Sequence, residues 1–426
     1  MSYLRTLALG LVGVLLVWTL PVSAQTDPYG TDPLGLIALK DQTDRYSTGT
    51  DTWDVWVCDV PDGSVSITAA QAASVLNGSL TPYFQQLSAN AYRPVFIGVG
   101  QVTASVPSQW PDNPYQLQTE CETLVVESGG SANGAIVVVD APYSGGYATG
   151  GLVCESPAEC PTGFPANARI VVLGSGSLVS LGGQPAALRT AAHEIGHSLF
   201  WPHSFAGLAA FADGVVYEYD NPMDLMSGGD SDLLNIGTIA INRYAAGWFG
   251  SESVIFHRGG QLEYTIGATS AIQLLVLPSD QRGVFDTIGI RLRSGYDFGL
   301  PAEGVEIYHV DQATGGCGAS VVGSCFGLDR RTSPIPSVAS FSSTEHVYAV
   351  GEVASVRGVT ITVLDRVGPG FTIRVEGDAV SERFLDDNGN FHEPNIEAIA
   401  GRGITRGCNP PLVDRFCPAN DVSRAE

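Results

Sequence analysis

Apolar positions fall into two textures along the chain. In the first half, short apolar runs alternate with longer stretches of helical spacing. Residues 54–60 (DVWVCDV) and 93–102 (RPVFIGVGQV) read as strands, and 135–139 (AIVVV) and 170–173 (IVVL) as buried ones. Residues 69–89 carry Ala72, Val75, Leu76, Leu80 and Phe84 at helical spacing, and 115–127 reads as a second helix. Residues 147–153 (YATGGLV) read as a thin edge strand. This alternation predicts a mixed sheet backed by helices. Past Trp248 the spacing shortens. Seven short strands, at 262–266, 272–277, 287–292, 305–310, 346–349, 359–364 and 371–375, are separated by Gly-rich spacers and predict a β-sandwich. The expected class is therefore α+β: a mixed twisted sheet with helices, then a sandwich, then a short helical tail.

One helical stretch carries more than a core pattern. In 192–204 (AHEIGHSLFWPHS) the residues Ala192, Ile195 and Leu199 continue an apolar face begun at Leu188. His193 and His197 lie one turn apart on nearly the opposite side. The chain has seven histidines, and three of them fall between residues 193 and 203. Two imidazoles one turn apart can share a metal ion, and Glu194 beside them is placed to reach a water that the metal activates. Zinc then needs a further protein ligand. His203 supplies it if the helix stops soon after Leu199, and Pro202 is a stop signal one residue before it. The plain alternative is three unrelated histidines around a chance HExxH; the third histidine at this offset favours zinc. A rival third ligand is Glu218, in a segment that does not read as helical.

The completed pattern, HExxHxxxxxH, resembles the metzincin zinc endopeptidases, whose motif is HExxHxxGxxH followed by a methionine-containing turn. Within 219–229 (YDNPMDLMSGG) the resemblance implies Met226 as the turn methionine, with Met223 the weaker candidate because Ser227, Gly228 and Gly229 follow Met226. The wording HS after the third histidine, DNPMDLM and AINRYAAGW (240–248) is most similar to secreted gametolysin-like and immune-inhibitor-A-like peptidases. GVEIYHVD (304–311) and GVTITVLDRVGPGFTIRV (358–375) resemble the β-domain that follows such catalytic domains.

The resemblance implies a catalytic domain at 51–250 with an active-site helix, and a β-sandwich domain at 251–377. It also implies one catalytic Zn²⁺ on His193, His197 and His203, and Glu194 as general base in peptide hydrolysis. The edge strand with Tyr147, Gly150 and Gly151 would hold a protein or peptide substrate as an added strand, an ordinary edge strand being the alternative. Two positions depart from the pattern. Phe200 stands where the family has a glycine that lets the backbone leave the helix, often with φ > 0. Ser227 stands where some members have a tyrosine, so no such role is assigned. The competing class is a cell-surface binding protein that keeps an inactive peptidase fold.

Charge and termini narrow the setting. With 44 acidic and 21 basic residues and a formal charge of −23, the chain disfavours nucleic acid and anionic lipid as partners. Residues 1–24 read as a signal peptide, with a basic start, an apolar 6–20 and small residues at Val22-Ser23-Ala24. The apolar run is shorter than the ~20 residues of a spanning helix, so the expectation is a secreted protein with no transmembrane anchor once the signal is removed. Residues 25–50 form a lead with no cysteine to cap a metal. Eight cysteines suit an oxidising compartment, and their spacing suggests pairs 154–160, 317–325, 408–417 and 58–121. No CxxC supports a zinc–thiolate site.

After a linker at 378–383, residues 384–426 resemble the first part of a surface-layer homology (SLH) module, through FLDDNGN, GITRGC and VSRAE. That resemblance implies binding to a cell-wall polymer and wall association. Ca²⁺ is a candidate at Asp386, Asp387, Asn388 and Asn390, but the cluster is shorter than an EF-hand loop and a solvated turn is the better reading. His309 reads as a satisfied core group, His392 as exposed near a helix start, and His257 and His346 stand alone.

Overall fold

The computed structural model describes residues 47–63, 67–107, 114–129, 134–141, 143–148, 169–180, 183, 185–199, 201–204, 221–227, 233–268, 270–280, 284–311, 331–334, 347–380, 383–387, 390–402, 404–409 and 413–418. The signal peptide, most of the lead, the 154–160 and 317–325 cysteine pairs, Asn388 and His346 lie outside them.

The first half builds one five-stranded sheet. Its strands are β1 (Gly49–Asp59), β2 (Tyr92–Thr103), β3 (Ala135–Val139), β4 (Gly146–Ala148) and β5 (Ile170–Gly174), in the order β2-β1-β3-β5-β4. The first four in that order pair parallel, and β4 pairs antiparallel to β5. Helices α1 (Ala69–Leu87) and α3 (Leu188–Ser198) share one apolar core with one sheet face, and α2 (Pro114–Glu127) shares another with the opposite face. Burial on both faces explains why AIVVV and IVVLG are unbroken apolar runs rather than alternating ones. α1 opens with a capping box, in which Thr68 and Gln71 satisfy each other's backbone N–H.

A buried charge fastens this sheet across its width. Asp51 on β1 pairs with Arg169, just before β5, at 2.6 Å. The same carboxylate accepts from Trp53 Nε1 at 2.8 Å and from the Tyr92 hydroxyl at 2.6 Å. Four donated hydrogen bonds and an opposite charge satisfy a carboxylate that burial would otherwise penalise heavily.

The second half holds β6 (Val254–Phe256), β7 (Gln261–Gly267), β8 (Leu274–Pro278), β9 (Val284–Arg291), β10 (Gly304–Asp311), β11 (Arg331–Pro334), β12 (Val353–Val356), β13 (Val359–Val367) and β14 (Gly370–Glu376). They form two sheets, β11-β10-β9-β8-β6 and β12-β13-β14-β7. Tyr264, Leu277, Ile288, Ile307, Ile361 and Ile373, drawn from both sheets, lie in one shared core. Three of these strands escaped the sequence reading: β6, β11 and β12 are short, and RTSP in β11 has no apolar alternation. Conversely, within the strand expected at 346–349, the described residues 347–349 make a single bridge, between Tyr348 and Val305. A last helix, α5 (Glu393–Gly401), packs Ile396 and Ala400 on Phe384 in the tail. No helix among the described residues is long and apolar enough to cross a membrane.

Helix α4 (Ala240–Ala245) and the loops before it lie between the halves. Ile239, Ile241 and Tyr244 pack on Val276, Phe285 and Tyr308 of the second half. Polar contacts reinforce this seam: Asn221 Nδ2 donates to the Tyr308 hydroxyl at 2.9 Å, and Gly237 N–H donates to Asp297 at 2.6 Å. Asp297 is in turn paired with the buried Arg291 at 2.6 Å.

Among the described residues, two disulfides are present, Cys58–Cys121 and Cys408–Cys417. The first ties β1 to α2 across 63 residues. Replacing both Cys58 and Cys121 with alanine is expected to cost about 2–5 kcal/mol, read from urea unfolding; an unchanged midpoint would refute a stabilising role.

Candidate metal centre

Helix α3 presents its histidines as its pattern requires. Ala191, Ala192 and Ile195 sink into the core beneath the sheet, as does Leu199 just past the helix, while His193 and His197 stay half-buried on the other side. The helix ends at Ser198, and Leu199 N–H returns to Gly196 O at 2.9 Å. Trp201 N–H then donates to Gly196 O at 3.1 Å, the kind of bond that closes a helix by satisfying a carbonyl of its last turn. Phe200 lies outside the described residues. Trp201 anchors the exit instead. Its indole is buried against Phe84 and Trp248 and donates to Asn242 O at 2.8 Å.

Beyond that anchor the chain brings His203 back to the helix. One nitrogen each from His193, His197 and His203 lie within 4.8 Å of one another, the one group of this kind among the described residues. His197 Nε2 and His203 Nε2 are 2.9 Å apart. Nitrogens bound tetrahedrally at ~2.0–2.1 Å from a common ion would sit about 3.3 Å apart, close to this spacing. The outward nitrogens of two rings are tied to carbonyls: His193 Nδ1 to Leu225 O at 3.1 Å and His197 Nδ1 to Trp201 O at 2.8 Å. A carbonyl only accepts, so both Nδ1 atoms carry the proton and both Nε2 lone pairs remain for a metal. Burial, with the neighbouring imidazoles, holds His193 well below the usual histidine range. Burial lowers His197 to about 3 and His203 to about 4. All three rings are thus neutral at physiological pH, the form that ligates. The donor set fits a borderline-soft divalent cation such as zinc.

Glu194, next to His193 on the helix, is buried, and burial raises its carboxyl to about 8. A dication nearby would pull that value down, because it favours the charged carboxylate. Gly146 on β4 makes the room: a Cβ there would stand 3.1 Å from Glu194 Cγ and 2.8 Å from Val172 O. Met226 packs beneath the helix, where a Cβ on Gly196 would meet its sulfur at 2.5 Å. Met223 instead packs with Leu300 and Val347 of the second half.

The remaining sequence candidates fall as follows. The described edge strand is Gly146–Ala148, beginning one residue earlier than expected; Gly150, Gly151 and Glu218 lie outside the described residues. The Tyr147 side chain turns to the α2 side of the sheet, where its hydroxyl donates to the buried Glu122. His257 is satisfied by the Tyr264 hydroxyl and Gly377 O, and His309 by Asp286, so neither joins the cluster. His392 is exposed at the start of α5. The sequence reading missed Gly146, Gly196 and Trp201. The glycine inside HEIGH was the available signal, since glycine costs helix stability and needs a packing reason.

No protein-family model matches the chain, and no curated protein matches it. Among solved structures, metalloproteinase-II from Bacteroides fragilis aligns at 17% identity with a TM-score of 0.28, over 47% of this chain and 53% of that one. The chain thus spans about half of that protein, and so slight a likeness decides nothing about activity.

Two outcomes follow from these contacts. Gly196→Ala should cost about 1–3 kcal/mol through overpacking against Met226 and Trp201; a denaturation midpoint equal to the parent's would contradict the contact. Burial raises Glu122 to about 7 from 4.5. The folded state therefore holds a proton the unfolded chain lacks, and the stability this adds is lost as pH rises from 4.5 through about 7. Glu122→Gln stays neutral, so its stability relative to the parent should rise between pH 5 and 8, as read by thermal melts; a constant difference would contradict burial as the cause.

Proposed function

We propose that the chain is a secreted zinc endopeptidase that hydrolyses peptide bonds with Glu194 as general base. The observation that carries this reading is the convergence of His193, His197 and His203 within 4.8 Å, with a buried carboxylate next to the first. A zinc ion on these imidazoles would supply Lewis acidity toward water and the scissile carbonyl.

The chain's own residues supply the proton transfers and the seating. Glu194 takes a proton from the attacking water and delivers it to the leaving amine. Its burial beside Gly146 keeps bulk water from competing for that proton. β4 is outermost in its sheet among the described residues, and an extended peptide can add to its backbone edge. With its side chain turned to Glu122, Tyr147 contributes backbone rather than ring to such a peptide. Disulfides Cys58–Cys121 and Cys408–Cys417 support an oxidising, extracellular setting. In this reading, residues 51–250 form the peptidase unit, 251–377 a supporting β-sandwich, and 384–426 a module directed at cell-wall polymer.

The test is direct. The purified chain should hold one zinc ion and cleave casein, and a chelator should abolish cleavage. Glu194→Gln should keep its circular dichroism and its zinc but lose roughly 10²–10⁴-fold in rate. Undiminished cleavage by that variant would sink the general-base role. A parent protein with neither zinc nor cleavage would leave the inactive binding protein as the better account.

A further inference from the structure

His203 is the ligand that no helix positions. It lies on a short span whose two ends are both anchored in buried structure. At one end is Trp201, whose indole donates to Asn242 O at 2.8 Å. At the other is Ser204, which is fully buried. Ser204 N–H donates to Met226 O at 3.0 Å, and its hydroxyl donates to Asp224 Oδ2.

Asp224 is the meeting point. It is fully buried, and its other oxygen accepts from Thr238 Oγ1 at 2.8 Å. Asn242 Nδ2 reaches Thr238 Oγ1 at 2.8 Å and Asp224 Oδ2 at 3.4 Å. The Asp224 carbonyl accepts from Arg189 Nη2 at 3.2 Å, and Arg189 stands on α3 one turn before His193. Four pieces of chain therefore close on one residue: the ligand helix, the His203 span, the methionine turn and α4. A carboxylate is expensive to bury, and three side-chain donors aimed at it, with the charge of Arg291 nearby, offset that cost. Such a hub has one favourable arrangement, and that arrangement determines where Ser204, and hence His203, stands.

We propose that Asp224 is a positioning residue for the metal site: acting through Ser204, it holds His203 in reach of the other two imidazoles and so sets the affinity for the ion. This rests on the metal reading of the three histidines. With the hub intact, the third ligand is prepaid in order before the ion arrives. Without it, the His203 span must be ordered during binding, and the affinity falls.

Zinc affinity of the full chain, measured by competition with a chromophoric chelator, tests this apart from activity. Ser204→Ala removes one hydroxyl and should weaken zinc about 10–100-fold, the range seen for outer-shell partners of metal ligands. Thr81→Val in α1, which removes a comparable buried hydrogen bond to Pro94 O on β2, should lower the melting temperature of the metal-free protein while leaving zinc affinity unchanged. With Co²⁺ in place of zinc, Ser204→Ala should lose visible absorption intensity as water replaces His203 and the coordination number rises. Asp224→Asn, if it folds, should weaken zinc in the same direction. Equal zinc affinity in Ser204→Ala and the parent overturns the proposal and leaves the metal reading standing. A parent that binds no zinc overturns both.

Discussion

The site depends on a constraint that precedes any chemistry: an imidazole serves as a ligand only when the correct nitrogen is bare and correctly aimed. Here two backbone carbonyls impose that choice. Leu225 O and Trp201 O each engage a Nδ1, which fixes tautomer and ring rotation together. Neither carbonyl belongs to the ligand helix's own hydrogen-bond ladder. One comes from the methionine turn and the other from the helix exit, so the position of both segments is read directly into the state of the rings.

Packing then fits those segments closely against the helix and the edge strand. Met226 sits in the space that a side chain at residue 196 would occupy, and Glu194 lies in the space that one at residue 146 would occupy. Two missing side chains, one on the helix and one on the edge strand, let the turn and the carboxylate approach as closely as they do. Aromatic rings complete the floor: Trp201 and Trp248 meet edge to face at 5.1 Å, and Phe84 and Tyr92 close the same cluster.

Much of this was legible in the sequence, and the parts that were not share a cause. Strands buried on both faces announce themselves as apolar runs, so β3 and β5 could be located to within a residue. The three histidines were legible because the i, i+4 spacing has a geometric meaning that survives without coordinates. The exit from α3 was not. Phe200 drew attention as a missing glycine, whereas the neighbouring Trp201 provides the anchor through long-range contacts with Phe84 and Trp248 that local pattern cannot express. β11 and β12 were missed for a related reason: strands of four residues are held by their partners rather than by their own propensity. Tyr147 was legible as part of an edge strand, but the face it presents depends on Glu122 in α2, a partner distant in the chain.

The seam between the two halves bears on how such a protein can be taken apart. The loop that carries Leu225 and Met226 is supported from behind by residues of the second half: Tyr308 holds Asn221, Asp297 holds Gly237, and Leu300 shields Met223. Leu225 N–H itself donates to Gly237 O at 2.8 Å, so that support passes to the very residue that fixes His193. The β-rich half thus backs the loops of the three-histidine cluster rather than being a passenger. A shortened or grafted first half would carry all three histidines and still lack the surface that keeps their loops in place.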